Sequence, residues 1–229
     1  MAAEFDSFAA RYDEDLERGL ALTGEDKSYF AIRRVQVIGR ILERLRVDPR
    51  SVLDYGCGTG TAIPLLRALL GAKRIVGVDP STASLDRARL EVTLPDVSFV
   101  PLGDYRPAGD ADLVFTNGVF HHVPTADRPS ATALVYRSLR PGGVLAFWEN
   151  NPWNPGTRWV MRRVAFDRDA ILLTPPAARR MLVAAGFEIL STSYHFVFPR
   201  LLRWLRGLEP ALTRVPVGGQ YLVVARRSG

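Results

Sequence analysis

Two short stretches hold residues able to do chemistry. The first is VLDYGCGTG at 52–60, where Gly56, Gly58 and Gly60 alternate behind an apolar run. A glycine loop that leaves a strand and enters a helix offers unpaired N–H groups at the positive end of the helix dipole. Lacking Cβ atoms, it lets a nucleotide-like ligand lie against the backbone. The spacing G-x-G-x-G differs from the dinucleotide pattern G-x-G-x-x-G, which wants a glycine where this chain has Thr61. Asp54, just ahead of the glycines, would repel a pyrophosphate and attract an ammonium or a sulfonium. The second stretch contains His121 and His122. An imidazole titrates near ~6.5, so either ring suits a general base at neutral pH. No acid sits at ligand spacing from this pair, so no metal is expected there. The third histidine, His195, falls in the alternating run SYHFVF and reads as a structural strand residue.

These residues need elements to hold them. Residues 1–50 read as helical. FDSFAARYDEDL puts Phe5, Phe8, Ala9, Tyr12 and Leu16 on one face, and a second helix over 27–46 carries Tyr29, Val35, Ile38, Leu42 and Leu45. From Ser51 short apolar runs alternate with helical stretches. Strands are predicted at SVLDY, RIVGVD, VSFV, ADLVFT and VLAFWE, with helices between them. The stretch NNPWNPGTRWVMRRVAFDRDAILL reads as irregular. A helix follows in TPPAARRMLVAAG, capped by Thr174 and stopped at Gly186. FEILSTSYHFVF and GGQYLVVARR are the last strands, separated by an apolar and basic insertion at about 198–218. The predicted fold is α/β: a Rossmann-like, doubly wound, seven-stranded sheet, mostly parallel with an antiparallel last strand and helices on both faces. Ligands of such sheets bind along the strand C-terminal edge. The expected layout is a single domain, with a helical cap at 1–50 over a core at 51–229.

At 229 residues the chain is long enough for one substantial core. Its 47% hydrophobic and 24% charged residues suit a globular protein and exclude a disordered one. No apolar run is long enough to span a bilayer. Glu4 and Asp6 stand where a secretory signal wants positive charge, so a cytoplasmic location is expected. Cys57 is the only cysteine, which excludes an internal disulfide and a cysteine-rich zinc site. The net charge of +6 comes from scattered arginines without an aromatic-interleaved basic patch, so nucleic acid is not an expected partner. Phe198–Leu212 mixes leucines, Trp204 and arginines, a composition that suits a lid, a dimer contact or a weak membrane-surface contact.

VLDYGCGTG resembles the first motif of class I S-adenosylmethionine-dependent methyltransferases, and the resemblance runs through 52–150. S-adenosylmethionine carries both cations that Asp54 favours. The resemblance implies that Asp54, Gly56, Cys57, Gly58 and Gly60 hold the cofactor, with Cys57 acting through its backbone. IVGVDP resembles the second motif, in which Asp79, beside Pro80, binds the ribose diol; a carboxylate accepts two hydrogen bonds. LGDY resembles the adenine motif, giving Gly103, Asp104 and Tyr105. ADLVFTNGVFHHV resembles the motif lining the methyl site, which includes Asn117, and LRPGGVLAFWE the strand-five motif. FDSFAARYD resembles a cap segment whose tyrosine, here Tyr12, closes over the cofactor.

The implied reaction is in-line methyl transfer to O, N or C of a small molecule, with S-adenosylhomocysteine as product. Much of its catalysis comes from alignment. A protonated nucleophile needs a base, and His121 and His122 are the candidates. Substrate contacts are expected from Tyr29, Glu149, Asn150, Trp153 and Arg158, with Asn151 nearby. The alternatives are a non-methylating binder of the cofactor, such as a cyclase or regulator, and a methyltransferase on a lipid-linked or macromolecular acceptor. A monomer or homodimer with a role in secondary metabolism completes the expectation.

Overall fold

The computed structural model describes residues 23–164 and 170–229. The expected helix over 5–16, with Tyr12, lies outside the described residues.

The helix α1 (Lys27–Leu45) starts where Asp26 accepts from the backbone N–H of Tyr29 and ends at Arg46 in the left-handed region. Then follow β1 (Ser51–Tyr55), α2 (Ile63–Leu70), β2 (Arg74–Asp79), α3 (Thr82–Glu91), β3 (Val97–Pro101) and β4 (Ala111–Asn117). After them come α4 (Arg128–Ser138), β5 (Leu139–Asn150), α5 (Pro155–Met161), α6 (Pro175–Ala184) and β6 (Phe187–His195). A 3-10 segment (Arg200–Leu208), α7 (Glu209–Leu212) and β7 (Gln220–Arg227) complete the chain.

The seven strands lie in the order β3-β2-β1-β4-β5-β7-β6. β7 runs antiparallel to both neighbours, and the pairs among β1 to β5 are parallel. The predicted fold is therefore the observed one. Thr174 caps α6 by accepting from the Ala177 N–H, as expected.

Strand alternation divides the interior into two cores. Val52, Leu113, Phe115, Val144, Ala146 and Trp148 face one side, where Val35, Ile38 and Leu42 of α1 are fully or nearly fully buried against them. Leu53, Tyr55, Val114, Leu145 and Phe147 face the other side, with Phe120 and helix α6. A first difference is the depth to which α1, in the expected cap, packs against the sheet. Its Val35, Ile38 and Leu42 stripe makes residues 27–45 part of the core, because that apolar face has to be covered.

A second difference lies in the stretch expected to be irregular. Asn154 accepts from the Thr157 N–H and Pro155 occupies the first turn, so α5 forms there. The insertion between β6 and β7 is a nine-residue 3-10 segment followed by α7.

Candidate functional site

A cavity of about 520 Å³ opens at the C-terminal edge of β1 and β4. This is the edge where parallel sheets place their ligands, and the volume falls within the ~300–1,000 Å³ usual for small-molecule sites.

Its floor is built by strand register. Asp54 of β1 lies beside Phe115 of β4, and Asn117 is two residues further on the same face. Both therefore point to the side that α1 covers, and both line the cavity. The Asp54 carboxyl is buried, and among the described residues no donor is paired with it. Burial and the neighbouring Asp79 push its pKa up from 3.8 to about 7. Asn117 Oδ1 is likewise buried without a hydrogen-bond partner. A buried carboxyl and an orphan amide oxygen on one wall form an acceptor-only set. Such a set suits an ammonium and opposes a phosphate.

Gly56, Gly58 and Gly60 all take positive φ, at 76°, 52° and 78°. A Cβ on Gly56 would come within 2.3 Å of Val119 Cγ2, whereas one on Gly58 would meet nothing within 4 Å. Gly56 is therefore required by packing, and Gly58 leaves its space to a ligand. Asp79 Oδ2 accepts from the Gly58 N–H at 2.8 Å and Oδ1 from the Ser81 N–H at 2.9 Å. It ties the tip of the glycine loop to the end of β2. Asp54, Asn117 and the open space at Gly58 fit the amino-acid end of S-adenosylmethionine. Cys57 lines the cavity with its thiol buried and its pKa pushed well up, so it is a packing residue there.

A second group meets at the ends of β4 and β5. The strands pair Asn117 with Trp148, and the Gly118 N–H continues the ladder to the Trp148 carbonyl. The next residue of β5, Glu149, shares a face with Leu145 and Phe147. On that face it meets the turn carrying Phe120 and His121. Glu149 Oε1 accepts from the Phe120 N–H at 2.7 Å, and Oε2 lies 2.6 Å from His121 Nδ1. Both side chains are almost fully buried. A carboxylate at Nδ1 holds the proton on that nitrogen, so Nε2 carries the lone pair. Arg128 anchors the turn by donating to the carbonyls of Phe120, Val123 and Ile171. His121 and His122 both line the cavity, with ring centroids 4.1 Å apart.

Tyr29 and Asn150, expected as substrate contacts, also line the cavity. Four other expectations shift. Glu149 is outside the cavity lining, with its carboxylate on the Phe120 N–H and His121. Trp153 precedes the Asn154 cap, is 48% exposed and faces Tyr194; Trp159, one turn into α5, takes its place in the wall. Arg158 is exposed and outside the lining. Asn151 is buried and holds the 216–218 loop through the carbonyls of Pro216 and Gly218.

Asp79, Pro80, Gly60, Gly103, Asp104 and Tyr105 lie beyond the cavity lining. Gly103 and Asp104 are exposed on the turn after β3. Tyr105 donates its hydroxyl to Ser138 Oγ and packs against the second core. His195 is partly buried against Trp148, and burial pulls its pKa down to about 4, in keeping with a structural role.

The outer wall was not anticipated. Phe30 and Arg34 come from α1, Phe196 and Phe198 from the loop after β6, and Trp159 from α5. The Arg34 guanidinium sits 5.9 Å and 5.8 Å from the Phe30 and Phe196 ring centres, and its Nε donates to Gln220. Lys27, Phe30, Ala31 and Arg34 recur at i, i+3, i+4 and i+7, a second helical face that the sequence carries beside the core face.

Comparison with known proteins agrees with this geometry. A family model described as a methyltransferase domain matches residues 52–143. A trans-aconitate 2-methyltransferase of Acidovorax sp. (strain JS42) is 32% identical over 189 residues, covering 73% of this chain and 72% of the relative. One of Escherichia coli (strain SE11) is 30% identical over 218 residues, covering 86% and 83%. The putative methyltransferase solved in complex with the Haloferax volcanii Trm112 activator superposes with a TM-score of 0.68 at 19% identity, over 99% of this chain and 98% of that one. With its strand order, its glycine loop and these relatives, the chain belongs to the class I S-adenosylmethionine-dependent methyltransferases.

Proposed function

We propose that the chain methylates an oxygen of a small-molecule acceptor and that His121 is the general base. The carrying observation is the 2.6 Å contact between His121 Nδ1 and the buried Glu149 carboxylate. A ring held in one tautomer at a cavity wall is suited to taking a proton from a hydroxyl. When bound, S-adenosylmethionine supplies an electrophilic methyl carbon on a sulfonium. Asp54 and Asn117 would hold its ammonium, Gly58 would leave room for its backbone approach, and Asp79 would meet its ribose. The wall of Phe30, Trp159, Phe196 and Phe198 orients the acceptor and excludes water. The trans-aconitate 2-methyltransferase relatives support a small acid acceptor.

Those relatives also favour a second reading, in which the acceptor oxygen belongs to a carboxylate. Lys27 and Arg34 line the cavity and would balance such an anion. A carboxylate is already deprotonated, so His121 would then orient it without taking a proton. Incubation with labelled S-adenosylmethionine, trans-aconitate and hydroxylated small acids, followed by mass spectrometry, separates the readings. Methyl ethers support the first, methyl esters the second, and an N-methyl or C-methyl product contradicts both.

A further inference from the structure

The 3-10 segment is built with its apolar side outward. Its sequence RLLRWLRGL repeats every three residues, which is the period of a 3-10 helix. Apart from a kink at Leu202, arginines recur at one position of each turn. The arginine side is turned partly toward the body. Arg206 pairs with Glu25 at 2.8 Å, donates to the Phe198 carbonyl and lies over the Tyr29 ring. Arg200 donates to the Gly24 carbonyl. Glu209 fixes the other end by accepting from the N–H groups of Val197 and Phe198. Leu201, Trp204 and Leu208 are left 86%, 74% and 55% exposed.

Val215 and Val217, in the loop that follows α7, are exposed as well. Arg200, Arg203 and Arg214 are exposed, and Glu209, the only acid in 199–217, is buried. Exposed apolar side chains held on a pinned segment and interleaved with arginines mark an interaction surface. Exposed Asp26 faces Arg200, while Arg203 and Arg214 stand in a segment with no exposed acid and favour an anionic partner; the outward tryptophan and leucines favour one with an apolar interior.

We propose that the 199–217 surface docks on an anionic phospholipid bilayer. Phe198, Pro199 and Arg206 line the catalytic cavity, so docking places the cavity mouth at the lipid surface. The claim is independent of which oxygen is methylated, because it concerns binding without turnover.

The test is co-sedimentation of the full chain with vesicles of phosphatidylcholine alone or mixed with phosphatidylglycerol. The chain is expected to pellet with the mixed vesicles, less so as salt rises. Leu201→Ser with Trp204→Ser is expected to weaken that binding about ten-fold or more, at an unchanged melting temperature because both side chains are exposed. Arg203→Glu is expected to abolish the preference for phosphatidylglycerol while leaving S-adenosylhomocysteine binding intact, which shows that the protein remains folded. Failure to pellet, equal pelleting with both vesicles, or a dimer that the double variant dissociates would overturn the proposal.

Discussion

Glu149 Oε2 and His121 Nδ1 lie 2.6 Å apart, although 28 residues separate them in sequence. They meet because β4 and β5 are parallel neighbours whose ends are in register at Asn117 and Trp148. Glu149→Gln keeps the shape and removes the charge that fixes the tautomer. It is expected to lower kcat by about 10²-fold with little change in KM, and to flatten the acid limb of the pH–rate profile. A variant at wild-type rate would reduce Glu149 to a structural role.

If Asp54 holds the cofactor ammonium as proposed, cofactor binding acquires a pH dependence. The Asp54 pKa is raised to about 7, so the carboxylate that attracts an ammonium is fully formed only above that value. Affinity for S-adenosylhomocysteine is therefore expected to rise with pH through about 7, and Asp54→Asn to lose that slope; calorimetric titration at several pH values checks both. The stability effect has the opposite sense. Between 3.8 and about 7 the folded protein retains a proton that the unfolded chain has released. Ligand-free stability should thus fall as pH rises across that window.

The glycine loop separates folding from binding. Gly56→Ala and Gly58→Ala both incur the left-handed penalty of about 1–2 kcal/mol. Gly56→Ala also drives its Cβ into Val119, adding roughly 1–3 kcal/mol. Thermal melts should show the larger loss at Gly56. Calorimetry should show the larger loss of cofactor affinity, relative to the stability change, at Gly58.

Asp79→Ala is expected to weaken cofactor binding by about 1.5–3 kcal/mol, the scale for hydrogen bonds to a charged group. Part of that loss comes from the Gly58 and Ser81 N–H groups that the carboxylate now holds. Unchanged affinity would remove Asp79 from the site.

Much of the fold was legible from local pattern. Alternating apolar runs and helical stretches located the seven strands, because strand burial and helix capping are written in nearest-neighbour chemistry. Part of the cavity lining follows from the same pattern: Asp54 and Asn117 lie at the ends of β1 and β4, and Gly58 and His121 in the turns after them. What was hidden depends on pairing between strands. Glu149 looked like a substrate contact until its side was fixed by the face it shares with Phe147. Trp159 takes the wall position expected of Trp153 because the Asn154 cap starts a helix in a stretch that composition alone reads as irregular. The outward leucines of Arg200–Leu208 required a period of three rather than 3.6.

The most direct measurement is the pH dependence of labelled-methyl transfer by the wild type and by His121→Ala, using an acceptor that yields a methyl ether. The wild-type rate should rise through a single ionisation as the base loses its proton. The variant should be slower by about 10²–10⁴-fold and lack that ionisation. A variant with the wild-type rate and pH profile would contradict the assignment of His121 as base.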